Sequence, residues 1–344
     1  MTQRAKIVLV GTGRMGDIRA KLMYANPKID LCGVVDINMD AAEKFASKYQ
    51  AMPFSELTDA IDHFGTNGSI SEERDASKID GIVVCTPTFT HEGVIKKAAE
   101  YGIHIFIEKP VDETADKITN LFEICETHGA KLCCGFQRRF DPTYKAVADA
   151  VRSKKIGKPV SASIFFADHP CPPIEFLLTG GCVFMDLSAH DVDFARYALD
   201  DDVVSVYATG SSSDERLKEA GVHDNAVMVM TFKKGAVVTL TMSRSACYGY
   251  DQRCEIFGTE GLASVGNEHT NSAVIAGSSG FLQSRLKHSF PERFDVAFGA
   301  ELETFTNAIL DSEAWPITRE DCIATQKVAD AGRRSSETNE VVFI

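Results

Sequence analysis

The sequence predicts two domains, the first α/β on a parallel sheet and the second α+β on a large, mostly antiparallel sheet. Its 344 residues exceed the usual span of one small domain, and domain-size statistics then favour two packed units. In the first part, short apolar, β-branched runs alternate with amphipathic helical segments, the pattern of parallel strands covered on both faces. Past Pro142, strand-like alternation follows strand upon strand, which implies antiparallel pairing. The division expected is 1–135 for the first domain and 136–344 for the second.

Taken in order, residues 7–10, 31–35, 82–85, 103–107 and 132–134 read as buried strands, and 91–101 and 115–128 as helices between them. A polar stretch at 63–78, rich in Gly, Ser, Asn and charge, reads as a surface loop of unusual length. In the second part, 203–209, 226–232 and 236–242 alternate, and Lys233-Lys234-Gly235 makes a hairpin turn between the last two. The tail returns to helix, with apolar positions at Leu302, Phe305 and Ile309 and again across 323–331.

Composition narrows the function. Hydrophobic residues make up 44% and charged ones 25%, enough to bury a sizeable core. A formal net charge of -13 repels phosphate backbones and anionic lipid, so neither nucleic acid nor membrane is expected as a partner. Among the ten cysteines, Cys32, Cys85, Cys125, Cys133, Cys134 and Cys182 sit in apolar or helix-patterned surroundings and read as reduced core thiols. No C-x-x-C pair carries a second pair or the right histidine spacing, so no metal is expected. The apolar run after Lys6 is far too short for a signal segment or a spanning helix, and the expected address is the cytosol.

The first chemistry-bearing motif follows the first strand. Ile7-Val8-Leu9-Val10 leads into Gly11-Thr12-Gly13-Arg14-Met15-Gly16 and then a helical run. In such a strand-turn-helix, Gly11 supplies the sharp turn, Gly13 lets the backbone approach a pyrophosphate, and Gly16 lets helix pack on strand. The second strand ends Val34-Val35-Asp36, about twenty residues beyond the last glycine, where an acid holds the adenine ribose hydroxyls. A carboxylate there repels a 2′-phosphate, and Ile37 and Asn38 bring no cation to offset it, so NAD is expected over NADP. The alternative is a plain tight turn, with Asp36 capping the next helix.

Two further constellations suit redox chemistry on an alcohol. Cys85-Thr86-Pro87-Thr88 and Ile105-Phe106-Ile107-Glu108-Lys109-Pro110 close successive strands, and in open α/β sheets the carboxyl ends of strands face the ligand crevice. Lys109 is so placed that its charge would favour a developing alkoxide, or it is a solvated lysine before a proline-fixed turn. Later, Asp186 and His190 follow Gly180-Gly181 and stand four apart, so on a helix they share a face. A histidine can take an alcohol proton and a neighbouring carboxylate can orient it. Taken alone, D-x-x-x-H more often marks a helix cap and a hydrogen-bonded core histidine.

At these residues the sequence resembles the Gfo/Idh/MocA family of oxidoreductases (glucose-fructose oxidoreductase, inositol dehydrogenase, rhizopine catabolism protein). The likeness runs through the whole chain. It rests on the glycine turn, the segment from Thr86-Pro87 to His91, Glu108-Lys109-Pro110, and Asp186 with His190. It implies an N-terminal Rossmann domain and an α+β domain whose open sheet often serves oligomer contacts, hence a homo-oligomer, a dimer or tetramer. It further implies NAD held by Gly11, Thr12, Gly13, Arg14, Met15, Gly16, Asp36, Thr86, Pro87, His91, Glu108 and Lys109, with Lys109, Asp186 and His190 carrying catalysis.

Within the family, Gly135-Phe136-Gln137-Arg138-Arg139-Phe140-Asp141-Pro142, Tyr248-Gly249-Tyr250-Asp251-Gln252-Arg253 and Phe290-Pro291-Glu292-Arg293-Phe294 are similar to the inositol 2-dehydrogenase branch. The resemblance implies that Arg138 or Arg139 and Tyr248 or Tyr250 contact polyol hydroxyls. On residue type alone, an Arg pair beside Asp141 is equally an ordinary ion-pair arrangement. Two tyrosines two apart on a strand share a face and equally pack a core. The sequence departs from the branch at Cys182, where a third glycine is usual, at Gln137, where Met is usual, and at Cys247, where Arg precedes Tyr-Gly-Tyr. The implied reaction is oxidation of a secondary alcohol of a cyclic polyol or sugar. Two readings compete: the same machinery acting on an aldose, diol or amino-sugar derivative, and a non-catalytic NAD-binding sensor that would need neither Lys109 nor His190.

Overall fold

The computed structural model describes residues 3–67, 75–179 and 182–344. The chain forms two compact units, and they are not the contiguous halves 1–135 and 136–344 that the sequence suggested. The first comprises Met1–Gln137 with Phe298–Ile323, the second Arg138–Ala297 with Ala324–Ile344. The reason is apolar burial: Leu302 and Phe305 join Ile7, Leu9, Val83 and Phe106 in one buried cluster, and each such side chain contributes roughly 1.5–3 kcal/mol. Trp315 adds a hydrogen bond of 3.2 Å from Nε1 to the carbonyl of Cys134.

The first unit holds six parallel strands in the order β3-β2-β1-β4-β5-β6. They are β1 (Ala5–Val10), β2 (Ile29–Val35), β3 (Met52–Phe54), β4 (Gly81–Val84), β5 (His104–Glu108) and β6 (Leu132–Gly135). The five expected strands are present. β3, three residues with a central proline, carries no periodic signal and exists through its pairing with β2. His63 and Phe64 close a helix, Leu57–Phe64, so the polar loop begins later than expected. Its centre and the pair Gly180 and Gly181 lie outside the described residues. The order reverses between β1 and β4, which makes their carboxyl ends the topological switch point where such sheets bind ligands.

The second unit holds a seven-stranded sheet, β12-β11-β7-β10-β9-β8-β15. Its strands are β7 (Pro159–Ala167), β8 (Val203–Ser211), β9 (Asn225–Phe232), β10 (Val237–Ser243), β11 (Asp251–Gly258), β12 (Gly261–Val265) and β15 (Val342–Phe343); a separate ribbon pairs β13 (Val274–Gly277) with β14 (Gly280–Gln283). All neighbours in the large sheet are antiparallel except β7 and β10. The turn at Lys233-Lys234-Gly235 joins β9 to β10 as expected. Alternate residues such as Met228, Met230, Val238, Leu240 and Ile256 are buried. Helix Arg319–Thr338 covers that face, so closely that a Cβ on Gly332 would lie 3.6 Å from Phe184 and nearer still to Met228. The opposite side chains Tyr207, Val227, Val237, Phe257 and Leu262 are exposed.

Candidate active site

In the first unit, the glycine turn takes the form its chemistry requires. Gly11 has φ +97°, and a Cβ there would come within 2.9 Å of the Cys85 backbone. A Cβ on Gly16 would fall on the carbonyl oxygen of Gly11, so only glycine lets the helix start this close to β1. Around Gly13 the space is open. The helix Arg14–Ala25 begins there without a side-chain cap, a start that suits an anion, with Arg14 exposed and Met15 half-buried.

Asp36, at the end of β2, receives hydrogen bonds from Thr12 N at 2.9 Å, Thr12 Oγ1 at 2.6 Å and Asn38 N at 2.9 Å. Burial alone would raise its carboxyl, but the bonds from Thr12 and Asn38 hold it below the usual range. The carboxylate is therefore ionised, fixed in direction, and able to accept more than it already does. These residues fit a dinucleotide: an open glycine cradle, a helix start with no side-chain cap, and an oriented acid one strand away.

His91 and Glu108 sit deeper than the resemblance implied. The His91 ring is buried, with Nδ1 3.0 Å from the Pro110 carbonyl oxygen and Nε2 3.0 Å from that of Thr86. It ties the Thr86-Pro87 turn after β4 to the Lys109-Pro110 turn after β5, and both nitrogens are engaged on main chain. The Glu108 carboxylate turns to Arg19, 2.7 Å away. Both residues make their strongest contacts with the protein itself. Lys109 is half-buried at the end of β5.

In the second unit, Asp186 closes the short helix Val183–Asp186 and His190 lies in the first turn of Ser188–Leu199. The expected single helix is broken at Leu187, which keeps helical angles (φ -75°, ψ -44°), so the four-residue spacing still places both on one side. The Ser188 hydroxyl donates back to the Phe184 carbonyl across this break. Asp186 is a third exposed, and its Oδ2 is 2.7 Å from Nη2 of Arg244, whose side chain is buried. His190 is half-buried, and its Nδ1 lacks a partner among the described residues. Sequence reasoning missed Arg244; its only signal was a lone arginine between two serines at a strand end.

The four residues expected to meet substrate mostly do something else. Arg138 is buried, its Nη2 2.6 Å from Gln252 Oε1 and 3.1 Å from Asp191 Oδ1. Burial drives the Asp191 carboxyl up to about 6 against the pull of Arg138 and Gln252. Arg139 forms a fork with Asp193, at 2.9 and 2.6 Å. Tyr250 is buried against the rings of Phe166 and Phe294. The tyrosines do not share a face, because Gly249 (φ +123°) turns the chain before β11 begins at Asp251. Tyr248 alone of the four is exposed, its hydroxyl donating to Asp251 Oδ2 at 2.7 Å. The three motif segments thus grip one another, as the Arg293–Asp141 ion pair of 2.8 Å also shows, and their specificity is that of a buried polar core.

Fold and site together define an NAD-binding oxidoreductase. Residues 5–136 match the oxidoreductase family with the NAD-binding Rossmann fold, and 144–264 match the GFO/IDH/MocA C-terminal domain. The inositol 2-dehydrogenase of Rhizobium meliloti is 34% identical over 328 residues, 95% of each chain. The solved myo-inositol dehydrogenase of Corynebacterium glutamicum covers 99% of both chains with a TM-score of 0.89 at 29% identity. The scyllo-inositol dehydrogenase of Lactobacillus casei, solved with NAD(H) and scyllo-inositol, covers 99% of both with a TM-score of 0.90 at 26% identity. The chain belongs to the Gfo/Idh/MocA family. Among the described residues no cluster of metal-ligating side chains occurs, and no helix is long and apolar enough to cross a membrane.

Proposed function

We propose that this enzyme oxidises a ring hydroxyl of a cyclic polyol, an inositol, to the ketone. NAD supplies the hydride acceptor. His190 takes the hydroxyl proton, Asp186 orients the reacting group, and Lys109 favours the developing oxyanion. The observation that carries this reading is the Asp186 carboxylate, held by the buried Arg244 and partly open to solvent four residues before a histidine whose Nδ1 has no partner among the described residues. His91, by contrast, has both ring nitrogens engaged on main chain. Tyr248 is the one expected substrate contact with surface to offer.

The reading extends to a cytoplasmic homo-oligomer, a dimer or tetramer and in the fuller form a homotetramer. It is supported by ten cysteines in no disulfide and by the exposed apolar side chains of the large sheet. The deciding experiment screens inositols, aldoses and cyclic diols for nicotinamide reduction by absorbance, with NAD and NADP side by side. Turnover of inositols with NAD is expected. Turnover confined to aldoses or open-chain diols, or none with any alcohol, would overturn the reading.

A further inference from the structure

Beneath the glycine turn, the first unit holds two fully buried charged groups and a half-buried third that the proposed chemistry does not use. Arg19, on the helix Arg14–Ala25, has no exposed surface. Its Nε lies 2.7 Å from Glu108 Oε1, its Nη2 2.7 Å from Glu301 Oε2, and its Nη1 donates to the Phe298 carbonyl at 3.1 Å. The guanidinium is sandwiched between the rings of Phe106 and Phe298, at 4.5 and 4.8 Å. Glu301 is fully buried, and its Oε1 has no partner among the described residues. When Glu301 is ionised, two carboxylates share one cation and leave a surplus negative charge beside the fully buried Arg19. Such networks cost more to bury than well-packed apolar residues of similar volume, so stability does not explain this one.

Its placement does. Arg19 lies in the second turn of the helix whose start carries the glycine turn, and Glu108 is the residue before Lys109. We propose that Arg19 and Glu301 are a positioning pair that holds Glu108, and with it the Lys109-Pro110 segment, at a fixed distance from the cofactor-binding helix. The claim rests on the reading that gives Lys109 a catalytic task. Burial pushes the Glu301 carboxyl up to about 7, with Glu108 adding to the rise and Arg19 opposing it. Cys85 also faces Arg19, and burial keeps its thiol neutral. The hold on Arg19 therefore strengthens as pH rises through neutrality and Glu301 ionises.

Glu301→Gln keeps the shape and fixes the neutral state, so it should match the wild type at about pH 5.5 and differ at about pH 8.5. At the higher pH, kcat should fall about threefold or more while KM for NAD stays within about twofold. Amide hydrogen exchange of the peptide from Ile107 to Asp112, read on the same samples, should quicken at the higher pH alone. A kcat profile and exchange pattern that superimpose on the wild type at both pH values overturn the proposal. So does an equal loss at both, which marks a merely structural role. If the wild type turns over no polyol, the functional reading fails, and exchange by itself then decides whether Glu301 positions the segment.

Discussion

At the scale of single residues, the site depends on which groups already have their partners. Asp36 is held by Thr12 and Asn38 and sits beside Ile37, which is 93% exposed and carries no charge. A 2′-phosphate would meet an oriented carboxylate with nothing to neutralise it. Catalytic efficiency with NAD should therefore exceed that with NADP, and Asp36→Ala should narrow the gap by about tenfold, the effect of removing one close charge repulsion. Steady-state kinetics with both cofactors checks it. His190→Ala should lower single-turnover rate by roughly 10² while leaving NAD affinity and melting temperature nearly unchanged, because a base acts in the transition state. A melting temperature that drops while turnover per folded molecule persists would identify a structural histidine instead.

At the scale of elements, the first strand, turn and helix form one device. The carbonyl of Gly11 occupies the space where a side chain on Gly16 would begin. Gly16→Ala must push the helix Arg14–Ala25 off β1, which carries Arg19 and the helix start with it. Overpacking of this kind costs about 1–3 kcal/mol, and KM for NAD should rise more than kcat falls. Thermal melts with and without NAD separate the two effects, since a displaced helix should also lose most of the stabilisation by ligand. The helix Ser188–Leu199 shows the complementary design: the Nδ1 of His190 has no partner among the described residues, while Asp191 and Asp193 anchor the helix to Arg138 and Arg139.

For the molecule as a whole, the large sheet of the second unit buries one face and leaves Tyr207, Val227, Val237, Phe257 and Leu262 at 40–52% exposure on the other. Antiparallel sheets can face water, but then the outward residues are polar. Here the apolar residues run from β8 across to β12, a surface that a partner of similar character would cover. Light scattering at micromolar concentration should give a dimer or tetramer. Replacing Tyr207 and Val227 together by lysine should shift the population toward monomer without unfolding it, as circular dichroism would record.

What the sequence determined by itself was local. The turn at 11–16, the acid at position 36 and the parallel strands are set by contacts near in the chain and by a periodicity that needs no distant partner. The Lys109 and Asp186/His190 positions were likewise legible as residue types at strand and helix ends. Tertiary structure alone decided the rest. Short β3 exists only through pairing, and Phe298–Ile323 joined the first unit because Leu302 and Phe305 fill its core. Arg138, Arg139 and Tyr250 went inside because Asp191, Asp193 and two aromatic rings were waiting there, and Arg244 turned to Asp186 from 58 positions away. Whether an arginine faces a ligand or a buried carboxylate is settled by desolvation. That depends on what packs around it in space, which neighbours in sequence do not specify.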